Sequence, residues 1–169
     1  SLRVEVKELA QKDVWQSNPI SGLKTDTVNA GIITINGTNI DTSTMSYTKL
    51  TEEINKISGV QASLVDSSDG KFRLAIKSTE TGTANKINFN TKDISGNDLG
   101  VSSGAAKLFG DGSALSDSLN VLKAQDMKLT ADGVDYSSSS NTVTIDGLKI
   151  TATKKGGDST INIENDTTT

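Results

Sequence analysis

Three stretches of this chain gather oxygen-bearing side chains closely enough to suggest chemistry. Asp66-Ser67-Ser68-Asp69-Gly70 offers oxygens at alternate positions and a glycine for a sharp bend, the outline of a calcium loop. The outline is incomplete, because serine stands where the second acid belongs and no glutamate follows six residues after the glycine; a plain hairpin turn accounts for the segment better. Asp111-Gly112 with Asp117 is a sparser version and reads as a solvated loop. Ser137 to Ser140 supplies four hydroxyls with no base nearby to activate one, so it reads as linker or surface loop.

The chain has no His and no Cys, which removes His-dependent nucleophile systems, His/Cys zinc sites, haem ligation and disulfides together. Paired carboxylates remain, since 15 of the 21 acids are Asp, but these fall almost wholly at turns and outward strand positions, where their pKa values would not be driven apart. Catalytic, cofactor-binding and metal-ligating residues are therefore expected to be none, and no enzyme activity is expected. A net charge of −4 gives no basic face for a nucleic-acid partner. No apolar run approaches the roughly 18 residues of a membrane span, and the N-terminus has no charged-then-apolar leader, so the chain reads as a soluble piece of something longer.

Trp15 is the only tryptophan, lies just before the only proline, and is the single candidate for anchoring a partner. The plainer reading is that it plugs the junction between two domains or the edge of a small core. Asn36-Gly37-Thr38 and Asn165-Asp166-Thr167 fit the glycosylation sequon, but a turn explains the first and a polar terminus the second.

The elements that must hold these residues follow from periodicity. Hydrophobic residues make up 33% of the chain and aromatics 4%, so any core is lean, while Ser, Thr and Asn together approach a third of all positions. Leu2, Val4 and Val6 alternate as a strand, and Ser17-Asn18-Pro19 marks a turn or a change of domain. Ile32 to Ile40 reads as a hairpin about Asn36-Gly37. Tyr47, Leu50, Ile54 and Ile57 form one stripe of a helix, with Ser46 as N-cap and Gly59 as terminator. A second hairpin pairs Val60 to Leu64 with Phe72 to Ile76, and Ile87 with Phe89 makes a further short strand. Residues 91 to 118 read as a long polar loop, with a short helix possible over Leu115, Leu119 and Leu122. Two more hairpins turn at Asp132-Gly133 and Asp146-Gly147, before a last strand TINIE. The expected fold is mainly β with one or two short helices (α+β). Its two small domains are an antiparallel β domain of residues 1–20 plus 121–169, and an inserted α+β domain of residues 21–120.

The segments ITINGTNID (33–41), YTKLTEEINKI (47–57), GVQASLVD (59–66) and KFRLAIKSTETGTANKINF (71–89) together resemble the flagellin hook "IN" motif, placed at 31–90. Ile54-Asn55, Gly59-Val60, Ser78, Thr81-Gly82 and Asn85 carry the match. VEVKELAQKDVWQS, with Leu9-Ala10-Gln11, is similar to the strand entering the head of the flagellar filament capping family (hook-associated protein 2). KAQDMKLTADGVDYSSSSNTVTIDGLKITATKKGG resembles that family's later β domain.

The resemblance implies a non-enzymatic assembly factor outside the cell, at the distal tip of the bacterial flagellum. Its partners would be flagellin and sibling subunits in a small ring, and coiled-coil legs would reach the filament. Neither end shows a heptad-bearing leg, so the chain would be the head alone. Two other readings stay open. One is a surface domain of a flagellin, hook-filament junction protein or adhesin touching host glycan or mucus, which would need an exposed platform from Trp15, Tyr47 or Tyr136. The other is a polysaccharide-cleaving enzyme, which would need two carboxylates facing each other about 5 to 9.5 Å apart.

Overall fold

The computed structural model describes residues 2–157 and 161–165. In chain order come β1 (Val4–Glu8), β2 (Val14–Gln16), β3 (Ile32–Ile35), β4 (Thr38–Asp41), α1 (Tyr47–Ile54), β5 (Val60–Asp66) and β6 (Phe72–Ser78). After a 3₁₀ turn follow β7 (Asn90–Lys92), β8 (Asp98–Val101), α2 (Ser103–Leu108), β9 (Met127–Ala131), β10 (Val134–Ser138), β11 (Thr142–Ile145), β12 (Leu148–Ala152) and β13 (Ile161–Asn165). The fold is mainly β with two short helices, as the periodicity predicts.

The chain forms two compact units. Residues up to Asp13, Glu80–Lys86 and the chain from Lys123 on make one; Val14–Thr79 and Ile87–Leu122 make the other. In the first unit, β1-β9-β10 and β11-β12-β13 are three-stranded antiparallel sheets. Alternation along each strand turns Val4, Val6, Met127 and Leu129 of one sheet, and Ile145, Ile150 and Ala152 of the other, into a common core. In the second unit, β2-β6-β5 forms a three-stranded sheet, and β3-β4 and β7-β8 are two-stranded hairpins. Leu50 and Ile54 of α1, Leu74 and Ile76 of β6, and Ile33 and Ile35 of β3 are its fully buried centre.

Local chemistry sets the turns. Asn36, Asp132 and Asp146 have φ of 48°, 48° and 51°, each followed by a glycine at positive φ, the paired left-handed geometry of a two-residue hairpin turn. Ser46 caps α1, its hydroxyl accepting from the Lys49 N–H at 3.0 Å.

Several expectations are corrected. The stretch 91–118 is built rather than looped: it contains β8 and α2, and begins within β7. Its small residues permit close approach; a Cβ on Gly104 would lie 2.9 Å from the Ile32 carbonyl oxygen. Ile87 and Phe89 are buried but lie in no strand, because the ladder starts only at Asn90. Helix α1 ends at Ile54, a turn before Ile57, because the Lys56 and Ile57 N–H groups bond the Glu53 and Ile54 carbonyls three residues back instead of four. Leu115 forms an isolated bridge to Gly110, and only Asp117–Leu119 coils, as one 3₁₀ turn. Ser17-Asn18-Pro19 is a local bulge within the second unit. The Ser17 N–H donates to the Leu74 carbonyl at 2.8 Å and the Ile20 N–H to the Phe72 carbonyl at 2.7 Å, so the chain stays against β6.

Because Trp15 is the only tryptophan and sits in the second unit's core, its fluorescence reports that unit's unfolding. Leu74→Ala is expected to lower the denaturant midpoint of the Trp15 signal by the equivalent of about 2–5 kcal/mol, the cost of a buried leucine cavity. An unchanged midpoint would show that Leu74 is not core.

Candidate functional site

The acidic turns hold their carboxylates to themselves. Asp69 sits in the turn between β5 and β6, where its Oδ1 accepts from the Lys71 N–H at 3.0 Å and from the Ser67 hydroxyl. Those hydrogen bonds, the Ser67 hydroxyl first, hold its pKa below the usual value. Asp66 pairs with Lys24 at 2.8 Å. Asp111 accepts from the Ser113 and Ala114 N–H groups at 2.8 and 2.9 Å and from the Ser113 hydroxyl at 2.9 Å. The backbone donors chiefly lower its pKa to about 2. Asp93 does the same for the tip between β7 and β8, accepting from the Ser95 and Asn97 N–H groups, both at 2.9 Å. Such carboxylates stay ionised and engaged, which suits turn closure. The described residues contain no group of three or more His, Cys, Asp or Glu that could hold a metal ion.

Trp15 is 5% exposed, on β2 opposite Ile76. Its indole meets Phe89 and Phe109 edge-on, with centroids 5.4 and 6.2 Å away, while those two rings stack at 5.2 Å. It is a core ring of the second unit. Tyr47 is half-buried edge-on against Phe72 at 5.3 Å, and Tyr136 is half-buried against the first unit's core. The chain's six rings thus all pack into the two cores to some degree. Of the two sequons, Asn36 lies in its hairpin turn with Oδ1 accepting from the Asn88 N–H at 2.9 Å, and Asp166-Thr167 lies outside the described residues.

The motif residues act as clasps. Asn55, just past α1, uses both ends of its amide on one residue of β5: Nδ2 donates to the Ala62 carbonyl at 3.0 Å, and Oδ1 accepts from the Ala62 N–H at 2.7 Å. Thr81, Gly82 and Asn85 belong to the first unit. The Thr81 hydroxyl donates to the Ser139 carbonyl at 2.6 Å, and Asn85 Nδ2 closes back on the Thr81 carbonyl at 2.9 Å. Gly82 has φ of 103°, and a Cβ there would lie 2.8 Å from the Ser139 carbonyl oxygen. Thr83 donates through its N–H and hydroxyl to the two carboxylate oxygens of Asp126, at 2.9 and 3.2 Å.

A groove of about 540 Å³ runs between β4 and the end of α1, with Ile40, Met45 and Ile57 on its walls. Glu53 on its rim pairs with Lys56 at 2.8 Å and Lys49 at 3.1 Å, which lowers the pKa of Glu53. Sequence reasoning named neither this groove nor the Asn55 clasp, nor Ile94, which stands fully exposed at the β7-β8 tip. The sequence signal for the clasp is the Ile54-Asn55 pair of the motif, an amide near the end of a helical stripe and shortly before Gly59.

Comparison with known proteins places the fold. The D2-D3 domains of the flagellar cap protein FliD from Serratia marcescens match with a TM-score of 0.65 at 21% identity, covering 97% of this chain and 91% of that one. The D2-D3 domains of FliD from Escherichia coli match at 0.63 and 20%, over 98% and 87%. FliD (HAP2) from Pseudomonas aeruginosa PAO1 matches at 0.57 and 22%, over 99% and 74%. No family model matches the sequence, and no curated protein matches it.

Two measurements test the clasps and the turns. Gly82→Ala is expected to destabilise the first unit by roughly 1–3 kcal/mol, through strain and the collision with Ser139, in chemical denaturation followed by circular dichroism. A neutral result would mean that the Gly82 backbone relaxes freely. For Asp111 the folded pKa lies below the ordinary 3.8, so its stabilisation is complete above about pH 4 and is lost as pH falls towards about 2. Asp111→Asn should therefore flatten the acid limb of a stability-against-pH curve in that window and leave its slope near neutrality unchanged.

Proposed function

We propose that this chain is the head of a cap at the distal tip of the bacterial flagellar filament, an extracellular assembly protein without enzymatic activity. The observation that carries the reading is a fold shared with FliD D2-D3 domains over 98% of this chain and 87% of the E. coli one. The sequence resemblance supports it independently, since the IN-motif residues and both flanking segments occur in the family's order. On this reading the helix-bearing unit is an insertion in the all-β unit, and the head presents protein surfaces to flagellin and to sibling subunits of a small ring.

The mechanism is mechanical. A head plate over the filament end confines newly exported flagellin, raising its effective concentration where it must add and blocking its loss. Turns closed by their own carboxylates and clasps closed by amides suit a rigid plate.

The glycan-binding alternative loses the one tryptophan it could use, because Trp15 is buried, while Tyr47 and Tyr136 are half-buried.

The test is complementation. A full-length cap chain carrying this head, supplied to cap-deficient cells, is expected to restore filaments and to move flagellin from the medium into them. Flagellin remaining unpolymerised in the medium, with the chain present and folded, would overturn the reading.

A further inference from the structure

We infer that the outer edge of β5 is a self-pairing surface, closed in the folded protein by the side chain of Asn55, and that its partner when opened is β5 of a second copy. The inference stands on the geometry of β5 and does not depend on a role in flagellar capping.

Strand β5 is an edge of the β2-β6-β5 sheet. It is seven residues long, pairs with β6 along its whole length without a bulge, and contains no Lys and no Pro. Such an edge is a template for another chain, and proteins usually blunt it with one of those missing devices. In an antiparallel ladder alternate residues face the partner, and here the Ala62 N–H and C=O point away from β6. Leu64 has the same parity as Ala62, and among the described residues nothing bonds its backbone N–H or C=O.

The Asn55 amide completes Ala62 as a neighbouring strand would, donating to its carbonyl and accepting from its N–H at 3.0 and 2.7 Å. With Ala62 occupied, the open edge is too short for a strand to add. With it released, Ala62 and Leu64 form a continuous pair of outward sites.

The sequence of β5 fits itself about a two-fold axis through Ser63. Antiparallel self-pairing there sets Ala62 opposite the second copy's Leu64 and Val60 opposite its Asp66, so every outward residue meets an outward residue and no charge meets its like. Val65, 42% exposed, adds apolar surface to the pair.

Two experiments decide it. In the unaltered chain, amide hydrogen exchange should show Ala62 protected and Leu64 exchanging far faster; equal rates would show that the clasp does not form and would overturn the inference without any variant. Asn55→Ala, compared with the unaltered chain by light scattering over a wide concentration range, should gain association beyond the parent's state, with new exchange protection confined to residues 60–66. Adding Ser63→Lys puts two lysines face to face at the axis and should abolish the gain while leaving the fold unchanged by circular dichroism. A folded Asn55→Ala that associates no more than its parent, or a gain that Ser63→Lys leaves untouched, would overturn the assignment.

Discussion

Every sheet among the described residues is only two or three strands wide, so most strands are edges, and how those edges are satisfied governs the rest of the structure. An edge strand carries a row of backbone donors and acceptors that water or a partner must meet. Here short polar side chains meet backbone groups at an edge, at a bulge beside a central strand and in the connections between strands. The Ser17 hydroxyl accepts from the Leu74 N–H at 2.9 Å, the Ser102 hydroxyl from the Thr34 N–H at 3.0 Å, and the Thr42 hydroxyl from the Ala30 N–H at 2.9 Å. In the first unit Asn141 Oδ1 accepts from the Ala10 N–H at 2.6 Å, and Asp126 closes on Thr83. A composition rich in Ser, Thr and Asn is thereby structural: these are the residues short enough to reach a neighbouring backbone without a large loss of side-chain entropy.

That arrangement explains how a lean core suffices. Two modest apolar clusters, one per unit, cannot tolerate buried backbone left unpaired, because each such group costs about 1–3 kcal/mol. No buried side-chain nitrogen or oxygen among the described residues lacks a partner. Polar satisfaction and apolar burial are therefore coupled: Ser17, with no exposed surface, lies in the same bulge that lets β2 run on beside β6 and brings Trp15 over Ile76.

What could be read in the sequence follows from the range of the forces involved. The hairpin turns at Asn36-Gly37, Asp132-Gly133 and Asp146-Gly147 were legible because positive φ is a local demand met by local residues. Helix α1 began where Ser46 predicted, but its backbone bonds tighten at Lys56 and Ile57, before the apolar stripe runs out, and the reach of Asn55 across to Ala62 has no local signature. The stretch around α2 looked like loop because Gly104, Ala105 and Ala106 carry little hydrophobic pattern; their smallness is the requirement, since Gly104 lies against the Ile32 backbone. Ile87 and Phe89 alternated as a strand would, yet both are buried in the second unit's core without a ladder, Phe89 against the rings of Trp15 and Phe109. Trp15 carried two readings that exposure alone could separate.

The use of the rings bears on how such a protein meets others. Four of the six rings, Trp15, Phe72, Phe89 and Phe109, are buried, and both tyrosines are half covered. Aromatic anchors, the usual centres of tight interfaces, are thus committed to packing inside the units. The surface is left with aliphatic points such as Ile94 and Leu99, paired surface charges, and strand edges whose accessibility depends on single amides or hydroxyls. Contacts made with those materials are shallow and numerous rather than deep and few. On the proposed reading, a plate that holds subunits without trapping them is served by that kind of contact, because weak, distributed interactions can be exchanged one at a time while confinement persists.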